Sequence, residues 1–367
     1  MNKKGFKFFF GDYNGYVQEV LDSSSRLYGF KPDVILIMVR IEELMPGFVD
    51  EYARSDFTEW EKSVKDSVRQ MGALVDKLEE SLPAQIILQN SAPSINPYWG
   101  IYDSQISKAQ NSLALMFNSM LSEDFGSRKS AFIWDFSLFV RKYGHNNLYD
   151  MKMWYTSKNP FKLSAYTLIG ADLHKYILSV IGKVKKCIVV DLDNTLWGGI
   201  AGEDGMEGVA LGHDYPGNCY RDFQKSLLKY YHRGIILAVN SKNNEDDALE
   251  IIEKHPYMIL RKKYFAAVRI NWLDKANNLK ELADELNIGL DSMVFVDDNP
   301  VECELVRSLC PEVEVVCLPV KPYLIPDALN SLRGLENIKL TAEDRKKGEM
   351  YRAQIKRKQH EKSRRNI

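Results

Sequence analysis

The pattern of this chain predicts an α/β protein of two domains, each a mainly parallel sheet flanked by helices. Two features carry the expectation: apolar runs of strand length alternate with amphipathic helical stretches, and 367 residues suffice for two ordinary domains. Hydrophobic residues at 45% and charged residues at 27% suit a soluble globular chain. The formal net charge of −1 implies no global attraction to nucleic acid or an anionic membrane. The five cysteines (Cys187, Cys219, Cys303, Cys310, Cys317) form no CxxC pair, so a reduced, cytoplasmic setting is expected. No signal-peptide core follows Met1, and no run approaches the roughly 20 apolar residues of a membrane span.

Taken in order, residues 6–10 read as a strand, followed by turn residues Gly11 to Gly15. Val34 to Val39 is a second strand. Residues 58–80 carry Trp60, Val64, Val68, Met71, Val75 and Leu78 at helical spacing, and Pro83 stops the helix. Ile86-Ile87-Leu88 and Ala131 to Trp134 are further strands, with a helix over 105–121 between them. This first domain spans 1–160. A helical connector is expected over 161–184, then a second domain over 185–340 with strands at Cys187 to Val190, Ile235 to Val239, Met293 to Val296 and Val313 to Val316. Helices are expected over 245–254 and 275–286. A basic helical tail, with acids interspersed, closes the chain over 341–367.

The stretch Cys187 to Gly199 organises the second domain. A fully apolar strand ends on Asp191 and Asp193, and ligands of parallel sheets sit at the carboxyl ends of strands. Other strand ends carry Asn240-Ser241-Lys242 and Asp297-Asp298-Asn299, and Lys275 opens a helix. Were these acids to converge, each close carboxylate pair would repel by about 4 kcal/mol at an effective dielectric near 20. Such a cluster calls for a cation, and all-oxygen ligands favour Mg²⁺. Carboxylate nucleophile, proton-moving carboxylate, metal, lysine and hydroxyl together suit phosphoryl transfer through an aspartyl-phosphate.

Asp191-Leu192-Asp193-Asn194-Thr195-Leu196 resembles the first motif of the haloacid dehalogenase (HAD) superfamily. Ser241, Lys275 and Asp297-Asp298 resemble its later motifs. With Gly202-Glu203-Asp204-Gly205, Ser241-Lys242-Asn243 and Asp297 to Pro300, the chain is most similar to the FkbH-like branch, which carries an SGNH-hydrolase-like domain in front. The resemblance implies that Asp191 attacks phosphorus and that Asp193 protonates the leaving group, then deprotonates water. It implies that Ser241 and Lys275 hold the phosphoryl group. Asp191, Asp193 (through its carbonyl), Asp297 and Asp298 would form the metal site, with Asp298 acting through water or orienting Lys275. Asn194, Thr195, Trp197, Asn240, Lys242 and Asn299 are expected to face substrate.

Some relatives load a glyceryl group from an activated glyceryl phosphate onto an acyl carrier protein. They tend to carry a cysteine where this chain has Asn240, which moves the expectation toward phosphatase or direct transfer chemistry on a phosphorylated small molecule. The gaps from Asp193 to Ser241 and from Ser241 to Lys275 leave no room for a large cap. The front domain lacks the SGNH serine and is expected to be non-catalytic. A non-enzymatic phospho-receiver or binding module is the remaining class, disfavoured because Asp193 offers a proton donor beside the nucleophile on the first strand.

Overall fold

The computed structural model describes residues 6–12, 14–354 and 357. It divides between Val180 and Ile181 into two compact units. No helix among the described residues is long and apolar enough to cross a membrane.

The first unit is built on a three-stranded parallel sheet, β1 (Val34–Ile37), β2 (Gln85–Gln89) and β3 (Ala131–Trp134), in the order β1-β2-β3. The helix Phe57–Ser81 starts on a capping box: Asp56 accepts from Glu59 N at 2.9 Å, and Glu59 reaches back to Asp56 N. Its buried face includes all six apolar positions named above. The next helix, Gln110–Phe125, begins later than expected. Asp103 is buried ahead of it and accepts from Gln110 N and Asn111 N, so it satisfies the first-turn donors. Residues 6–10 form no strand; Phe6, Phe8 and Phe10 are exposed, while Phe9 rests on the Phe30 ring.

The expected connector is helix Leu163–Val180. It buries Ala165, Ile169 and Leu173, spaced four apart, against Trp134, Phe136 and Phe139 of the first unit. Asp172 accepts from the Trp134 indole at 2.9 Å. A helix with a continuous apolar face belongs to the core it covers.

The second unit holds a five-stranded parallel sheet of β4 (Cys187–Val190), β5 (Ile236–Ser241), β6 (Phe265–Ile270), β7 (Met293–Asp297) and β8 (Glu314–Cys317), in the order β6-β5-β4-β7-β8. β4 is central and wholly buried. Alternate residues face two cores: Ile188 and Val190 join Phe223, Leu227 and Ile251, whereas Cys187 and Val189 join Ala276, Leu279 and Val306. Helices Glu245–Lys254 and Lys275–Leu286 carry the expected bounds. β6 was not anticipated. Its Ala266-Ala267 pair and Arg269 give little strand signal, and it lies at the sheet edge. The tail expected over 341–367 lies partly outside the described residues; within them, Asp344 closes on Gly234 and Gly348 on Tyr231.

Leu279, fully buried one turn beyond Lys275, tests how far this packing supports the site. Leu279→Ala should cost about 2–5 kcal/mol, read as a lowered midpoint in urea denaturation followed by circular dichroism.

Candidate active site

Strand register brings the acids together. Val190 pairs with Val239 of β5 and with Val296 of β7, so Asp191 stands level with Asn240 on one side and Asp297 on the other. Asp191 N donates to Val296 O at 2.9 Å. Asp191, Asp297 and Asp298 each present a carboxylate oxygen, all within 4.8 Å of one another.

Lys275, the first residue of its helix, is buried between them. Its Nζ lies 2.6 Å from Asp297 Oδ2 and 3.1 Å from Asp191 Oδ2. Asp274 caps that helix by accepting from Asn277 N, and the Lys275 carbonyl accepts from Asn240 Nδ2 at 2.9 Å. Asn278, on the same helix, donates to Asn240 Oδ1 and Asn271 Oδ1. The lysine is thereby fixed at its backbone as well as its ammonium. Asp297, rather than Asp298, holds Lys275 most closely, because β7 register puts Asp297 beside Asp191; its Oδ1 also accepts from Asn299 N at 2.9 Å.

Asp193 stands apart from the carboxylate trio. Its Oδ1 accepts from Trp197 Nε1 at 2.9 Å and Ala201 N at 3.0 Å, and its Oδ2 from Asn243 Nδ2 at 2.8 Å. These donors aim the carboxylate. The turn between Asp193 and Ala201 is set by Asn194 in the left-handed region (φ 51°), whose Oδ1 accepts from Gly199 N at 2.9 Å. Ser241 closes β5, buried, and its carbonyl accepts from Asn271 N.

The residues expected to face substrate divide. Asn194, Trp197 and Asn240 spend polar atoms inside the fold, whereas Asn299 is exposed and caps the next helix by accepting from Val301 N. Lys242 pairs with Glu302 at 2.6 Å. Thr195 is fully buried, its hydroxyl without a partner. Asn243, Asn278 and Glu302 were not singled out. Asn243 lies inside a quoted motif and Asn278 one turn from Lys275, yet only tertiary proximity gives either its role.

The electrostatics follow from three carboxylates facing one ammonium, which leaves two negative charges uncancelled when all are ionised. Burial, then the neighbouring Asp191, pushes Asp297 up to about 7 and Asp298 up to about 6. Burial also raises Asp193, despite its donors. Burial alone would lower Lys275, but Asp191 and Asp297 outweigh it and hold the ammonium charged. Among the described residues, Asp191 Oδ1 is buried without a donor. An orphaned carboxylate oxygen within a trio of hard oxygen ligands fits a divalent cation.

Comparison with known proteins gives the family. Residues 2–175 match the family model "FkbH, N-terminal domain", and residues 186–335 match "NLI interacting factor-like phosphatase". The N-terminal part of Bacteroides fragilis BF1531, containing a phosphatase domain and complexed with Mg, is 31% identical; the match covers 90% of this chain and 86% of that one, with a TM-score of 0.80. The chain belongs to the FkbH-like family, with an HAD-type phosphatase domain. A Bacteroides thetaiotaomicron HAD family enzyme, in complex with magnesium and inorganic phosphate, aligns at 12% identity over 37% of this chain and 94% of its own; its TM-score of 0.23 carries no weight. None of the curated proteins matches. In this FkbH-like chain the segments between β4 and β6 hold only helices Ala201–Gly208, Gly217–His232 and Glu245–Lys254, a short 3₁₀ turn and loops, with no cap domain among the described residues.

The raised acids give a pH signature. Metal-free protein binds protons at Asp297 and Asp298 more tightly when folded than when unfolded, so their contribution to stability declines as pH rises from about 4 toward 7. The melting temperature of chelator-treated protein should therefore fall between about pH 5 and about pH 7.5. Added magnesium or calcium should raise it more at the higher pH, where fewer protons compete; equal cation effects at both values would contradict the assignment. Asn243→Ala should lower turnover with little change in melting temperature, checked by steady-state kinetics beside thermal denaturation.

Proposed function

We propose that the second unit removes or transfers the phosphoryl group of a phosphorylated biosynthetic intermediate, through an aspartyl-phosphate and with Mg²⁺. The observation that carries this reading is Lys275 bridging Asp191 and Asp297 while three donors aim Asp193 alongside. An Asp191 oxygen forms the bond to phosphorus as the bond to the leaving oxygen breaks. Asp193, whose affinity for a proton is raised by burial, gives a proton to the leaving group. It then takes a proton from the water that attacks the acyl phosphate, which frees inorganic phosphate and restores Asp191. Lys275 and Ser241 hold the phosphoryl oxygens. Asp191, Asp297 and Asp298 would hold Mg²⁺, which when bound neutralises charge on the phosphoryl group.

Two further observations support phosphate release over a thiol route and a non-catalytic front unit. Asn240, at the position where glyceryl-loading relatives tend to have cysteine, is buried and bonded to the Lys275 helix. At the carboxyl edge of the first sheet, Asn90 donates to Asp135 at 3.0 Å, and Asp135 caps the following helix by accepting from Leu138 N. Those polar groups are engaged in holding turns.

Phosphate release from an aryl phosphate decides the matter. Asp191→Asn should show none above background, and Asp193→Asn should lose about 10²–10⁴-fold in kcat; turnover retained in Asp191→Asn would defeat the proposal.

A further inference from the structure

The crossover from β4 to β5 shapes a cleft of about 280 Å³, lined by residues 210–217 and Tyr257. The wall depends on close backbone approach. A Cβ on Gly217 would lie 2.5 Å from Gly212 N, so only glycine lets the loop fold back on itself. Helix Gly217–His232 returns the chain toward β5, which sets its first turn, and the cleft with it, at the carboxyl edge where Asp191 lies.

The cleft is tied to the catalytic turn. Gly198 and Ala210 exchange backbone hydrogen bonds of 3.1 and 2.7 Å, and Gly198 follows Trp197, whose indole donates to Asp193. Tyr220, in the first turn of helix Gly217–His232, packs its ring against Gly198.

The lining defines what would bind. Arg221 donates to Gly212 O at 3.3 Å and contacts His213 Nδ1 at 2.8 Å. A guanidinium can only donate, so Nδ1 accepts and the His213 proton sits on Nε2, a free donor on an exposed ring. Asp214 adds exposed carboxylate acceptors, and Tyr215 and Tyr257 add phenol hydroxyls. Arg221 lies over the Tyr257 ring at 5.6 Å, and His213 meets that ring edge to face at 4.9 Å. Tyr257 thus offers its hydroxyl more than a stacking face, which disfavours a planar base. The Asp214 carboxylate disfavours a second anion, and the ring of donors and acceptors disfavours a plain alkyl chain. The volume falls just under that of typical ligand pockets and suits one ring-sized group.

We propose that this cleft is a subsite for a neutral polyhydroxylated group, a sugar ring or polyol, carried by the phosphorylated substrate. The assignment rests on the phosphatase reading for its link to the acid cluster, but its test does not need turnover. Saturation-transfer NMR with the full chain and unphosphorylated glucose, galactose, N-acetylglucosamine and glycerol reads binding directly, with 1,6-hexanediol as the apolar control. Wild type should transfer saturation to at least one polyol and not to the diol. Asp214→Ala and Tyr257→Phe, which alter exposed groups, should weaken the signal about fivefold or more. No transfer to any polyol, equal transfer to the diol, or undiminished signal in both variants would overturn the subsite. Polyol binding without phosphate release from any substrate would support the subsite while defeating the phosphatase reading. Phosphate release without polyol binding would do the reverse.

Discussion

Two buried carboxylates on neighbouring strands share one ammonium, and the second unit is arranged around keeping them there. Parallel register forces Asp191 and Asp297 side by side. Like charges so close and so buried repel by several kcal/mol at any realistic dielectric. Lys275 answers part of that charge, and a hydrogen-bonded chain through Asn240 and Asn278 fixes the helix that presents it. The remaining negative charge makes the site receptive to a divalent cation and, through it, to a phosphoryl group.

The proposed proton-handling group is built by a different principle. Asp193 sits two residues beyond Asp191 on the same chain, yet it is directed by three donors instead of a cation. The left-handed Asn194 turns the backbone so that neighbouring acids acquire separate surroundings. One carboxylate lies against an ammonium; the other, half-buried among three donors, has its affinity for the proton raised by desolvation. Such divergence between adjacent acids divides nucleophile from acid–base catalyst.

Much of this was legible in the sequence because its chemistry sits at strand ends that read clearly. Asp191, Ser241 and Asp297 each close an apolar run, and Lys275 opens a helix of clear periodicity. What escaped depends on contacts between distant segments. β6 was missed because its alanines carry no strand preference and its pairing with β5 supplies the stability. The alternating phenylalanines at 6–10 look like a strand, yet no strand of the first sheet pairs with them, and Phe9 finds aromatic contacts instead. Whether Asp297 or Asp298 meets Lys275 is a matter of one-residue parity, which only register decides. The helix Leu163–Val180 reads as a linker from its position and as core from its buried face.

Asp191, the proposed nucleophile, follows the most interior strand of its sheet, with two strands on either side. Central strands exchange their amide hydrogens only when a whole cooperative unit opens, whereas edge strands fray independently. On the proposed reading, the reacting carboxylate is thus tied to the last-melting part of its domain.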